Sequence, residues 1–91
     1  LTESIIRYLA AELAPKGIRA NTVAAGPLDT DAFRTVFPNA DRMLESAAKA
    51  SPSKRNLNFD DVTNIIAFLA SPEAQMIQGR VIFVDGGLGL R

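Results

Sequence analysis

Ninety-one residues carry ten lysines and arginines against ten aspartates and glutamates, a formal charge of zero, whereas a dedicated binder of nucleic acid or of anionic membrane has a basic excess. Cysteine and histidine are both absent, which removes disulfide frameworks, zinc-finger spacing and a Ser-His-Asp triad, and leaves only carboxylates for any metal site. With 47% hydrophobic and 22% charged residues, the chain reads as one globular domain at most, with a small core and no apolar run near the ~20 residues of a membrane helix.

Leu1, Ile5, Leu9 and Leu13, widened by Ile6 and Ala10, recur at the spacing of one helix face. Glu3 and Arg7 stand at ion-pair spacing on the wet side. Pro15-Lys16-Gly17 stops this helix. Ile18–Ala24 then reads as a mostly apolar strand, polar only at Arg19 and Asn21, of the kind covered on both faces in a parallel sheet. Asn21 is expected to tie down a neighbouring loop. Ala25-Gly26-Pro27 turns the chain, and Thr30 stands where a helix from Asp31 would be capped. Strand, tight turn and helix start form a corner at which α/β sheets receive phosphate groups.

From Asp31 to Asn58 the pattern loosens, as in lids and binding loops. Phe33, Val36 and Phe37 make a short amphipathic turn ended by Pro38, and Met43, Leu44, Ala47 and Ala48 predict a second short helix. Ser51 to Asn56 reads as a loop. Asp60 is placed to cap the next helix, with Val62, Ile65, Ile66 and Leu69 on its buried face. Ser71-Pro72 ends it and opens a turn with Ser71 as cap. Arg80–Val84 is a second strand, closed by Asp85-Gly86-Gly87. Strand, helices and strand predict a parallel pair joined by a right-handed crossover.

Arg19-Ala20-Asn21-Thr22-Val23 running into Gly26-Pro27-Leu28-Asp29-Thr30 resembles the segment after the sixth strand of short-chain dehydrogenases/reductases. Arg7–Leu13 resembles the end of that family's catalytic helix, Val62–Ala74 its penultimate helix, and Ile77–Gly87 its last strand with the Asp-Gly-Gly ending. Ala25 stands where most members have proline, and Ala-Gly-Pro is similar to the NADPH-using enoyl-acyl-carrier-protein reductase branch. The resemblance implies an α/β fold, with residues 1–91 as the C-terminal portion of a Rossmann-like doubly wound parallel sheet that binds NAD or NADP. The Gly-rich turn and the catalytic Asn, Ser, Tyr and Lys would lie upstream, so no catalytic residue is assigned here. Tyr8 lacks a lysine four residues on and reads as a packing residue.

The same resemblance implies cofactor contacts from Gly26, Pro27, the Leu28 backbone and the Thr30 hydroxyl. It makes residues 31–58 a substrate loop in which Phe33, Phe37 and Met43 line an acyl pocket. Read from residues alone, the plain helix cap is the preferred reading of Thr30, and the three apolar residues are equally core. The implied activity is hydride transfer to a 2-enoyl thioester in fatty acid synthesis, with a tyrosine stabilising the enolate. A ketoreductase or an alcohol or sugar dehydrogenase is the alternative, and a catalytically inert assembly module the other. Expected partners are a small-molecule or acyl-carrier-protein-linked substrate and further copies, packed through Val62–Ala70 and Arg80–Gly87 into a tetramer in the cytoplasm. Lys49, Lys54 and Arg55 are candidates to meet an acidic carrier protein, with solvated charge the preferred reading.

Overall fold

The computed structural model describes residues 2–90. Two short parallel strands and four α-helices follow one another in the order α1, β1, α2, α3, α4, β2. By contact the chain divides into two compact units, Leu1–Ala24 with Thr63–Ile82 and Ala25–Val62 with Phe83–Arg91.

The first helix, α1 (Thr2–Leu13), runs into a 3-10 turn at Ala14–Lys16 and stops at Gly17, whose φ of 77° lies in the left-handed region. There Gly17 N–H donates to Ala14 O at 3.0 Å and Ile18 N–H to Leu13 O at 3.2 Å, taking up the helix's last carbonyls. Of the expected stripe, Leu1 lies outside the described residues. Ala10 is buried, Leu13 half-buried, and Ile5 and Leu9 remain exposed. Among the described residues no ion pair joins Glu3 to Arg7.

The strands β1 (Thr22–Ala25) and β2 (Val81–Val84) pair side by side. Thr22 N–H donates to Arg80 O at 2.8 Å and Gly26 N–H to Val84 O at 3.1 Å, so both chains advance in the same direction. Each strand is shorter than expected. Over residues 18–21 side chains supplement the backbone pairing, of which Gly79 N–H to Ala20 O at 2.9 Å is the backbone bond. Ala20 N–H donates to Gln78 Oε1 at 2.9 Å, and Gln78 Nε2 to Ile18 O at 3.2 Å. Asn21 accepts from Arg80 N–H at 2.9 Å and donates to Ile77 O at 3.0 Å, so it ties down the approach to β2 as expected. Arg19 reaches Ala74 O at 3.1 Å. Backbone groups outside a ladder need partners, and here Gln78 and Asn21 supply several of them.

The helix α4 (Phe59–Leu69) starts on a reciprocal pair: Asn58 N–H donates to Asp61 Oδ2 at 2.8 Å and Asp61 N–H to Asn58 Oδ1 at 3.0 Å. Asn58, not Asp60, is therefore the cap. The apolar stripe of α4 forms, but the described residues leave much of it uncovered. Val62, Ile65 and Leu69 are half-buried, while Ile66 and Phe68 are 52% and 43% exposed. Ser71 makes no cap for the following turn (Pro72–Ala74); its hydroxyl closes α4 by donating to Phe68 O at 2.6 Å.

Candidate functional site

The expected cofactor-facing residues lie where β1 ends. Gly26 continues the ladder, and a Cβ there would sit 3.2 Å from Asp85 Cβ, so glycine answers a close approach to the end of β2. After Pro27, Leu28 forms an isolated parallel bridge with Leu57, which fixes its backbone. The helix α2 (Asp31–Val36) then opens on Thr30, whose Oγ1 accepts from Phe33 N–H at 3.0 Å. A hydroxyl that accepts keeps its own proton to donate, and among the described residues the Thr30 hydroxyl donates to nothing. The cap is thus observed, and it leaves the hydroxyl proton to a further acceptor.

Asp29 and Arg34 brace this corner. The guanidinium holds Asp29 through Nε at 2.7 Å and Nη2 at 3.0 Å, and Nη2 reaches Asp41 at 2.8 Å. The Arg34 hydrogen bond keeps the Asp29 carboxyl below the usual carboxylate range, and the two carboxylates raise the guanidinium in turn. Asp41 lies in the first turn of α3 (Ala40–Ala50), so Arg34 links the start of that helix to α2. Phe37 ends α2 in extended backbone, φ −116° and ψ 102°, because Pro38 disfavours a helical residue before it.

Of the expected acyl-pocket residues, Phe33 and Phe37 come together, ring centroids 4.8 Å apart and tilted by 46°. Phe33 is half-buried and Phe37 37% exposed, so the pair is not sealed core. Met43 stands half-buried on α3, beside the buried Leu44. Lys49, Lys54 and Arg55, for which solvated charge is preferred over docking, are engaged within the chain. Lys49 pairs with Glu45 at 3.0 Å and Lys54 donates to Lys49 O at 2.8 Å. Arg55 grips Asp61 with both nitrogens, at 2.8 and 3.0 Å, and with Asn58 N–H this lowers the Asp61 carboxyl to about 2.

One buried polar residue escaped the sequence reading. Ser51, 2% exposed at the end of α3, donates through Oγ to Gly86 O at 3.1 Å and accepts from Ser53 N–H at 3.2 Å. Ser53 N–H also reaches Gly86 O at 3.1 Å. Gly86 and Gly87 have φ of 62° and 90°, and Cβ atoms there would meet Ser51 Oγ at 2.8 Å and Pro52 Cγ at 3.0 Å. Asp85 holds the turn by accepting from Gly87 N–H and Gly89 N–H, each at 2.9 Å. Beside it lies a pocket of about 350 Å³ bordered by Arg55, Leu57, Asp61, Phe83 and Gly86. The only signal in the sequence was a Ser-Pro-Ser turn and a Gly-Gly turn, with nothing to pair them. Among the described residues there is no cluster of carboxylates able to hold a metal ion, and no helix is long and apolar enough to cross a membrane.

A family model described as enoyl-(acyl carrier protein) reductase matches residues 1–89. An enoyl-[acyl-carrier-protein] reductase [NADH] of a Synechocystis strain is 42% identical over 85 residues, covering 93% of this chain and 33% of that protein. The short chain dehydrogenase mdpC of Emericella nidulans is 39% identical over 94 residues, covering 93% of this chain and 36% of that protein. The crystal structure of the NADH enoyl-[acyl-carrier-protein] reductase from Aquifex aeolicus superposes with a TM-score of 0.87 at 34% identity, over 98% of this chain and 34% of that one. The chain therefore spans about a third of the length of these relatives.

Proposed function

The chain belongs to the enoyl-(acyl carrier protein) reductase family of short-chain dehydrogenases/reductases, and from that membership we propose that it is the C-terminal part of a single NAD(P)-binding domain that reduces 2-enoyl thioesters carried on acyl carrier protein. NADH is the proposed cofactor, in keeping with the Synechocystis and Aquifex relatives; when bound, it supplies the hydride that the β-carbon of the thioester receives. The residues of this chain bind and orient. The Leu28 backbone, held by its bridge to Leu57, meets the nicotinamide carboxamide, and Gly26 and Pro27 shape the turn that brings it there. The Thr30 hydroxyl caps α2 with its lone pair and donates its proton to a cofactor phosphate. That free donor, at the end of a strand and beside a fixed backbone turn, is the observation that carries the reading. Since α2 has only six residues, the hydroxyl and the backbone, more than a helix dipole, do the anchoring.

Residues 31–58 form the substrate segment, and the tilted Phe33–Phe37 pair with Met43 gives the acyl chain an apolar wall. Further copies assemble through Val62–Ala70 and Arg80–Gly87 into a tetramer, in the cytoplasm. A second reading, a ketoreductase or other dehydrogenase on the same scaffold, is favoured by the 39% identity to the short chain dehydrogenase. Turnover by the full-length protein that contains this chain, followed at the nicotinamide absorption band, separates the two. Oxidation of NADH by a crotonyl thioester supports the first. Activity confined to ketones or alcohols selects the second.

A further inference from the structure

We propose that Ser51 is a positioning residue of the reductase site: it hooks the α2–α3 segment to the turn after β2 and thereby keeps Leu57 in register with the cofactor-facing Leu28. The inference rests on the reductase reading for what Leu28 and the segment face. The hook itself rests on geometry.

A hydroxyl buried to 2% exposure must have its hydrogen bonds satisfied, and both of Ser51's are made across a long sequence gap or within one tight turn. Oγ donates to Gly86 O at 3.1 Å, while Ser53 N–H is shared between Ser51 Oγ at 3.2 Å and Gly86 O at 3.1 Å. Two donors from one turn thus converge on one carbonyl of another. The glycines make this possible. A side chain at Gly86 would collide with the Ser51 hydroxyl at 2.8 Å, and one at Gly87 would press on Pro52 at 3.0 Å. The segment's last turn is closed independently, by Lys54 N–H on Ser51 O at 2.9 Å with Lys54 at φ 59°. Loss of the hydroxyl therefore leaves Ser53 N–H on Gly86 O and weakens the attachment without removing the turn.

Position decides what the hook controls. Immediately before it runs α3, with Met43 and the buried Leu44. Shortly after it comes Leu57, the bridge partner of Leu28. Loosening at Ser51 lets the acyl-pocket helix and the cofactor-facing backbone shift together. No proton-transfer group is touched, so the effect falls on binding and spares the chemical step.

The test compares Ser51→Ala with Ser51→Thr in the full-length protein. In Ser51→Ala the Ser53 amide exchanges with solvent about tenfold faster, as expected for loss of one hydrogen bond. The Arg80 amide, held by Asn21 outside this unit, keeps its wild-type rate. KM for a crotonyl thioester rises about fivefold to tenfold with kcat within twofold, and Ser51→Thr restores both readouts. Unchanged exchange at Ser53, an unchanged KM, equal acceleration at Arg80, or a threonine variant as impaired as alanine each overturns the proposal. A protein that never oxidises NADH with an enoyl thioester fails the reductase reading instead, and the exchange rates of Ser53 and Arg80 still decide the hook.

Discussion

Replacing Thr30 separates its two roles. Its backbone is extended, φ −130° and ψ 162°, which suits a β-branched residue, so Thr30→Val changes the hydroxyl and leaves the local conformation alone. The acceptor for Phe33 N–H at 3.0 Å disappears, and loss of such a cap costs about 1 kcal/mol. In a helix as short as Asp31–Val36, that loss appears as fraying of α2 and loosening of the Phe33–Phe37 pair. The donor to a phosphate disappears as well. A hydrogen bond to a charged group contributes about 1.5–3 kcal/mol, so NADH affinity should fall by roughly tenfold to a hundredfold. Thr30→Asp divides the effects: aspartate caps as well as threonine but brings a negative charge to the phosphate. The expected order of dissociation constants by calorimetry is Thr30 ≈ Thr30→Ser < Thr30→Val < Thr30→Asp. In urea, Thr30→Asp should match the wild type while Thr30→Val falls about 1 kcal/mol below it. Wild-type affinity in both Thr30→Val and Thr30→Asp would refute the phosphate contact and leave a cap alone.

Phe37→Ala should raise KM for a long-chain enoyl thioester about threefold to tenfold more than for the crotonyl analogue, on the scale of one aromatic contact; equal increases would place Phe37 outside the acyl path. The Asp61 carboxyl should titrate at about 2 in the folded protein, against 3.8 for the free side chain, because Arg55 and then Asn58 N–H stabilise its charged form. Since the folded value is the lower one, the stability it contributes is complete above 3.8 and disappears as pH falls through about 2; an Asp61 midpoint near 3.8 by carboxyl-carbon NMR would contradict the bidentate pair. Asn21→Ala removes the acceptor for Arg80 N–H and the donor to Ile77 O, and should lower stability in urea by about 1–3 kcal/mol, with no change in NADH affinity. Sedimentation of the full-length protein at micromolar concentration should show an oligomer that Ile66→Glu and Phe68→Glu dissociate; a monomeric wild type would remove the assembly proposal.

Periodicity and turn chemistry placed the four α-helices and both strands of the described residues, because apolar spacing and Gly or Pro stops act within a few residues of one another. What it missed were contacts between distant segments. The strand expected from Ile18 begins only at Thr22, since Gln78 and Asn21 side chains take up much of the pairing before it and a polar side chain does not announce its partner. Asp60 and Asn58 are equally good caps on paper; the reciprocal bond from Asp61 decides for Asn58. Within the site, Thr30 could be read because a cap is local. Ser51 could not, since its carbonyl partner lies in the turn after the last strand.

The ladder joining β1 to β2 connects Thr22 with Arg80 and Gly26 with Val84, so nearly sixty residues must be made after β1 before its partner exists. At the usual ~5–20 residues per second of synthesis, the β2-facing edge of β1 waits roughly 3–12 s with its N–H groups unpaired. Thr-Val-Ala-Ala is a poor template for wrong pairing during that wait, with small side chains and one hydroxyl. Val-Ile-Phe-Val is the adhesive strand of the two, and it emerges last, when a vacant edge of matching register is already in place. Exchanging the two tetrapeptides would preserve the pairing on paper and put the sticky one on the ribosome first.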